Sequence, residues 1–166
     1  MNKEQLCLEY SDIRHYGELW MFTDPEIPVD EDELDFIKPL TEESSIRLWN
    51  EMFSEKLWHA VLLEKEGWTG KNIKWESEYS WLLDWNDNKP CPPILDQICR
   101  SEEAIVYFAW GRHGTYETIW RIFKKYWLNF LFNDEGPILF SLDDDWIVQF
   151  FPSQILQIGK RISKRN

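Results

Sequence analysis

Ala104-Ile105-Val106-Tyr107-Phe108-Ala109-Trp110 is the stretch on which the fold turns. Its apolar run is short and rich in branched and aromatic side chains, which makes it a strand rather than a helix. A strand that is apolar at odd and even positions alike belongs at the centre of a sheet. Working downstream, Gly111-Arg112-His113-Gly114 is the turn after it. Thr115 then reads as the cap of a helix over residues 115–132, with Tyr116, Ile119 or Trp120, Phe123, Trp127 and Phe130 as its buried stripe. Lys124 and Lys125 lie toward its C-terminal half, where the helix dipole favours cations. Residues 137–142 and 146–151 (PILFSL and WIVQFF) are two strands joined by Asp143-Asp144-Asp145, a hairpin with a short acidic turn. Residues 155–158 read as a last strand or turn.

Upstream, residues 41–66 carry the first strong helical pattern. Thr41 is its N-cap, Glu42 and Glu43 occupy the first turn, and Gly67 ends it. Ile46, Trp49, Phe53, Leu57 and Ala60 form one face, widened by Met52, Trp58, Val61 and Leu62. Lys74-Trp75 reads as a short strand and residues 76–85 as a helix carrying Tyr79, Leu82 and Leu83. Pro90, Pro92 and Pro93 mark a loop, and residues 94–99 a short helix. Near the N-terminus Leu19-Trp20-Met21-Phe22 reads as a strand between Gly17 and Pro25. The order predicts an α+β fold: a two-layer, mostly antiparallel sheet with two main helices packed on one face. The length, 166 residues, suits a single globular domain over 1–166.

Charge is spread unevenly over this acidic chain, whose net is −12. Residues 1–83 hold 19 acids and 8 bases, whereas residues 84–166 are nearly balanced. Residues 24–35 (DPEIPVDEDELD) contain seven acids and no base, and Pro25 and Pro28 bar regular structure, so this is an exposed acidic connector with a short helical turn over 31–37. Residues 159–166 (GKRISKRN) form a short basic tail, read as a solvated terminus. An acidic protein repels phosphate backbones, so nucleic acid is not expected as a partner. The N-terminus lacks an apolar leader core and no run approaches a membrane span, so no membrane role is expected. Cys7, Cys91 and Cys99 form no C-x-x-C pair, which predicts reduced thiols and a cytoplasmic location.

Three stretches resemble a known family. They are Trp20-Met21-Phe22 with the connector and Ile37-Lys38-Pro39-Leu40; Ser45 through Leu48-Trp49; and Thr118-Ile119-Trp120, Phe123, Trp127-Leu128-Asn129-Phe130 and Asn133-Asp134-Glu135-Gly136, closing with Gly159-Lys160-Arg161. Together they resemble a bacterial family, domain of unknown function 2947, over nearly the whole chain. The resemblance implies a small soluble bacterial protein. It carries over no catalytic residue and no activity. Trp75, Trp81 and Trp85 belong to none of its motifs.

The candidate chemistry is sparse. His113 stands beside Arg112 at the end of the best strand, where sites are built, and is the one candidate catalytic residue; Glu117 is the acid within sequence reach. His59 pairs with Glu55 at helical spacing and His15 offers no pattern. No nucleophile elbow, phosphate loop or dinucleotide fingerprint occurs. Asp143-Asp144-Asp145 cannot converge on one ion from an extended chain, so no metal and no cofactor is expected. The remaining signal is acid beside surplus tryptophan. Asp30, Glu31, Asp32, Glu33 and Asp35 would steer a basic protein, and Trp75, Trp81 and Trp85 would anchor it. The sequence therefore predicts an acidic, non-enzymatic protein-binding domain, immunity-like or regulatory. The alternatives are a small enzyme or ligand-binding domain with a pocket near Trp110, Arg112 and His113, and a structural oligomerisation subunit.

Overall fold

A computed structural model of the chain describes residues 6–80, 90–99, 101–132 and 136–162. Seven strands form one sheet. In chain order they are β1 (Lys38–Pro39), β2 (Ile73–Ser80), β3 (Ile105–Gly111), β4 (Gly114–Ile119), β5 (Ile138–Phe140), β6 (Trp146–Phe151) and β7 (Ile155–Arg161). Their spatial order is β1-β4-β3-β5-β6-β7-β2, and every neighbouring pair is antiparallel. The helices are α1 (Glu42–Met52), α2 (Ala60–Lys65), α3 (Trp68–Asn72), α4 (Trp120–Lys125) and α5 (Trp127–Phe130). The chain is α+β.

β3 lies inside the sheet, as its two apolar faces require. Successive strand side chains point to opposite faces. Val106, Phe108 and Trp110 enter one apolar cluster with Trp120, Ile122 and Phe123 of α4 and Trp127 and Phe130 of α5. Tyr107 and Ala109 enter another with Leu48, Trp49 and Met52 of α1 and Ala60 and Leu63 of α2. Helices therefore cover both faces, which corrects the expected two-layer arrangement with helices on one face. The reason is on β3 itself: an apolar residue at every position demands a partner on each side.

Four other expectations change. Residues 115–119 are strand β4, not the start of a helix, and the helix begins only at Trp120. Thr115, Tyr116 and Thr118 are branched or aromatic, and a tight turn at Gly111↔Gly114 lays them along the open edge of β3. The 41–66 helix is broken into α1 and α2. Ser54 Oγ accepts from the backbone N–H of Lys56 and of Leu57, offering the chain a turn instead of another helical rung. Leu19–Met21 is a 3-10 turn whose N–H groups bond locally, with Met21 and Phe22 buried and Trp20 exposed. Residues 73–80 are one strand, so the helix expected over 76–85 does not begin there, and residues 81–85 lie outside the described residues.

Other expectations hold. Thr41 Oγ1 accepts from the Ser44 N–H at 3.3 Å and caps α1. Gly67, at φ 66°, ends α2 in a left-handed conformation that suits glycine. β5 and β6 pair around Asp143-Asp144-Asp145, and residues 93–97 make a 3-10 turn. The N-terminal segment is tied to the sheet by a buried carboxylate. Glu117 of β4 accepts from Tyr10 Oη at 2.6 Å and Tyr107 Oη at 2.8 Å. No described helix is long and apolar enough to cross a membrane.

Candidate functional site

The acidic connector is fastened to α4. Lys125 Nζ donates to Asp30 at 2.8 Å and to Glu33 at 2.5 Å, and the single Tyr126 Oη proton lies within hydrogen-bond reach of both carboxylates. Arg121 reaches Glu33 at 3.4 Å. Arg14 pairs with Asp35 at 2.5 Å and with Glu31 at 3.4 Å. Hydrogen bonds from Lys125 and then Tyr126 hold both Asp30 and Glu33 below the usual carboxylate range. Burial of Val29, Leu34 and Ile37 pins the backbone between these pairs. Four of the five expected steering carboxylates thus serve an internal network, and Asp32 alone of the five has no ion pair among the described residues.

The β3–β4 turn forms a second focus. Arg112 donates its backbone N–H to the Trp58 carbonyl at 2.8 Å and its Nη1 to the Glu55 carbonyl at 3.0 Å. His59 forms a bridge to Gly111. A Cβ on Gly111 would lie 2.8 Å from the Trp58 carbonyl oxygen, so only glycine lets the loop approach this closely. Trp49 Nε1 donates to the Leu57 carbonyl at 2.6 Å from below. The loop between α1 and α2 is therefore locked, yet the Trp58 side chain it presents is 53% exposed. Beside it, His113 Nδ1 lies 2.9 Å from Glu42 Oε1 on the surface. Trp110 is buried and its indole bonds the Phe130 carbonyl at 3.3 Å. None of Trp110, Arg112 and His113 lines any of the three described clefts.

Two of those clefts flank the β5–β6 turn. One, of about 420 Å³, has Met52, Phe53, Trp68 and Arg161 in its wall. The Arg161 guanidinium bonds the carbonyls of Ser141 at 2.9 Å and Asp144 at 2.5 Å, so it serves as a brace for the turn. Ser141 Oγ accepts from the N–H groups of Asp143 and Asp144. The turn is thus built from local bonds, and no group of three or more metal-competent side chains occurs among the described residues.

A family model described as Protein of unknown function (DUF2947) matches residues 10–159. The chain belongs to this family. No curated protein and no solved structure matches it. The DUF2947 span opens at Tyr10, which holds Glu117 and bridges to Leu40, and closes at Gly159, on which Trp75 packs. Tyr10 lies beside β1 at one edge of the sheet, and Gly159 on β7 pairs with Trp75 of β2, the strand at the other edge.

Of the expected anchors, Trp75 is half-buried against Gly159 on β2, and Trp81 and Trp85 lie outside the described residues. Among the described residues, the exposed tryptophans of the DUF2947 chain are instead Trp58 and Trp20, at 53% and 52%. Trp20 packs edge-on to Phe132. Sequence reading placed both inside apolar runs. The one usable signal for Trp58 was the polar Ser54-Glu55-Lys56 interruption just before it.

Proposed function

We propose that this protein is a non-enzymatic, acidic binding domain that neutralises or regulates a basic protein. The observation that carries the reading is Trp58: a large aromatic side chain held out to solvent on a loop locked by Arg112, His59 and Trp49. An anchor that is ordered before binding loses little conformational freedom on association, and tryptophan is the residue type most enriched at interface hot spots. Glu42, Glu55 and Asp32 are exposed carboxylates, and the net charge of −12 favours a cationic partner at long range. None of Cys7, Cys91 and Cys99 forms a disulfide with another described residue, which fits work in a reducing cytoplasm.

The test is affinity capture from host lysate at low salt, followed by a salt gradient, with wild type and Trp58→Ala side by side. The expected outcome is a stoichiometric basic protein retained by wild type and released by moderate salt. Trp58→Ala should weaken the purified complex by at least about thirtyfold, the scale of a 2 kcal/mol hot spot, while leaving the melting temperature unchanged. Absence of any stoichiometric partner, or a partner indifferent to Trp58, overturns the reading.

A further inference from the structure

Trp120 and Trp146 are buried side by side, with ring centroids 5.9 Å apart and planes at 63°. Neither indole N–H has a hydrogen-bond partner among the described residues. A buried donor without a partner is costly and uncommon in a folded protein. In an edge-on pair one N–H can point at the other ring, but that contact cannot serve both. At least one of the two donors is therefore unmet, and Trp146 is the one that borders a cleft.

The cleft has a volume of about 390 Å³, within the range of small-molecule sites. Its lining includes Trp146 and Ile158, which belong to the apolar cluster on the α4 side of the sheet. Ile94 and Ile98, on and just after the 3-10 turn Pro93–Gln97, extend the aliphatic lining. Buried Leu95 and the ion pair of Asp96 with Lys124 at 2.9 Å fix that turn, so this wall stands before any ligand arrives.

The polar part of the cleft is set by register. Directly opposed residues on neighbouring strands share a face. Trp146↔Lys160 and Lys160↔Lys74 therefore set an indole N–H and two ammonium groups in one row. Lys160 lines the cleft, and Glu76 is 3.7 Å from its Nζ, too far for a hydrogen bond, so the ammonium donors are not consumed there. Asp144 and Asp145 also border the cleft, but both are exposed, where water weakens their repulsion of an anion. A row of donors beside an aliphatic lining suits a ligand with a charged acceptor at one end and an alkyl body at the other.

We infer that this cleft binds a small carboxylic acid with a short branched aliphatic body. The carboxylate accepts from the Trp146 indole N–H and from Lys160, and the alkyl part lies on Ile94, Ile98 and Ile158. The site is separate from Trp58 and does not rest on the protein-binding reading.

The probe is isovalerate titrated into the full chain, followed by NMR of the tryptophan indole N–H groups. Trp146→Phe removes one resonance and so assigns it. Should that variant fold poorly, magnetisation transfer from the neighbouring Trp120 ring assigns it instead. The expected result is a saturable shift of the Trp146 resonance, with that of exposed Trp58 unmoved. Isoamylamine keeps the branched body and carries an ammonium in place of the carboxylate; it should not bind. Lys160→Met, at an exposed position, should weaken isovalerate binding about tenfold or more with the melting temperature preserved. A Trp146 resonance that stays fixed at the highest soluble concentration of the acid overturns the inference. So does isoamylamine binding as tightly as isovalerate, or undiminished affinity in Lys160→Met.

Discussion

Gly159 shows how one missing side chain shapes the sheet. A Cβ there would sit 2.7 Å from the Lys74 carbonyl and 2.8 Å from the Trp75 ring. Backbone cannot yield as a flexible side chain can, so Gly159→Ala should cost about 1–3 kcal/mol and loosen β2 from β7. A fall in the denaturant midpoint, with faster hydrogen exchange in β2, is the check. Gln149 poses the opposite case. It is 1% exposed, lies between Ile138 and Gln157 on the neighbouring strands, and neither end of its amide has a partner among the described residues. An unpaired buried amide costs about 1–3 kcal/mol, so Gln149→Leu should raise the midpoint rather than lower it. The cysteines divide by environment. Burial pushes the Cys91 thiol up to about 12, whereas Cys7 is exposed. Iodoacetamide at neutral pH should therefore modify Cys7 well before Cys91, read by mass spectrometry.

At the scale of elements, the connector and α4 act as one unit. Asp30 and Glu33 have carboxyl groups held below their ordinary values, chiefly by Lys125. A depressed folded-state value contributes stability that is fully present above the unfolded carboxylate range and is lost as pH falls through the folded value. Acid should therefore release the connector, and Lys125→Met should move that release to higher pH. Limited proteolysis within residues 24–36 across pH reports it; identical profiles would mean that the buried Val29, Leu34 and Ile37 alone hold the segment. Removing the α1 cap with Thr41→Ala should cost about 1 kcal/mol of thermal stability. The same scale shows what could be read in advance. Thr41, Gly67 and the β5–β6 hairpin follow from local chemistry, because a cap, a left-handed glycine and an aspartate turn need only near neighbours. β4 did not, because Thr115 through Ile119 pack equally well as a helical stripe or as alternate faces of a strand. The open edge of β3 decides between them. The α1–α2 break turned on Ser54, whose hydroxyl captures two backbone donors that periodicity ignores. Of the candidate site, the acidic connector was visible in composition, but Lys125, Arg121 and Arg14 meet it only through folding.

At the scale of the molecule, the sheet is graded from a covered middle to open ends. β3, β5 and β6 are buried on both faces, whereas β1 has two residues and β2 is largely exposed. Amide exchange should be slowest in the first three and fastest in β1 and along the outer side of β2. By itself the sequence determined the α+β class, the central strand, the acidic charge and the turn chemistry, since each depends on residues close together in the chain. Tertiary structure alone decided which helices cover each face, that the acidic connector is spent on α4, and that Trp58 and residues 76–80 of β2 face solvent. Those outcomes depend on which distant segments meet, and local propensity carries no term for the partner across a sheet or beneath a loop.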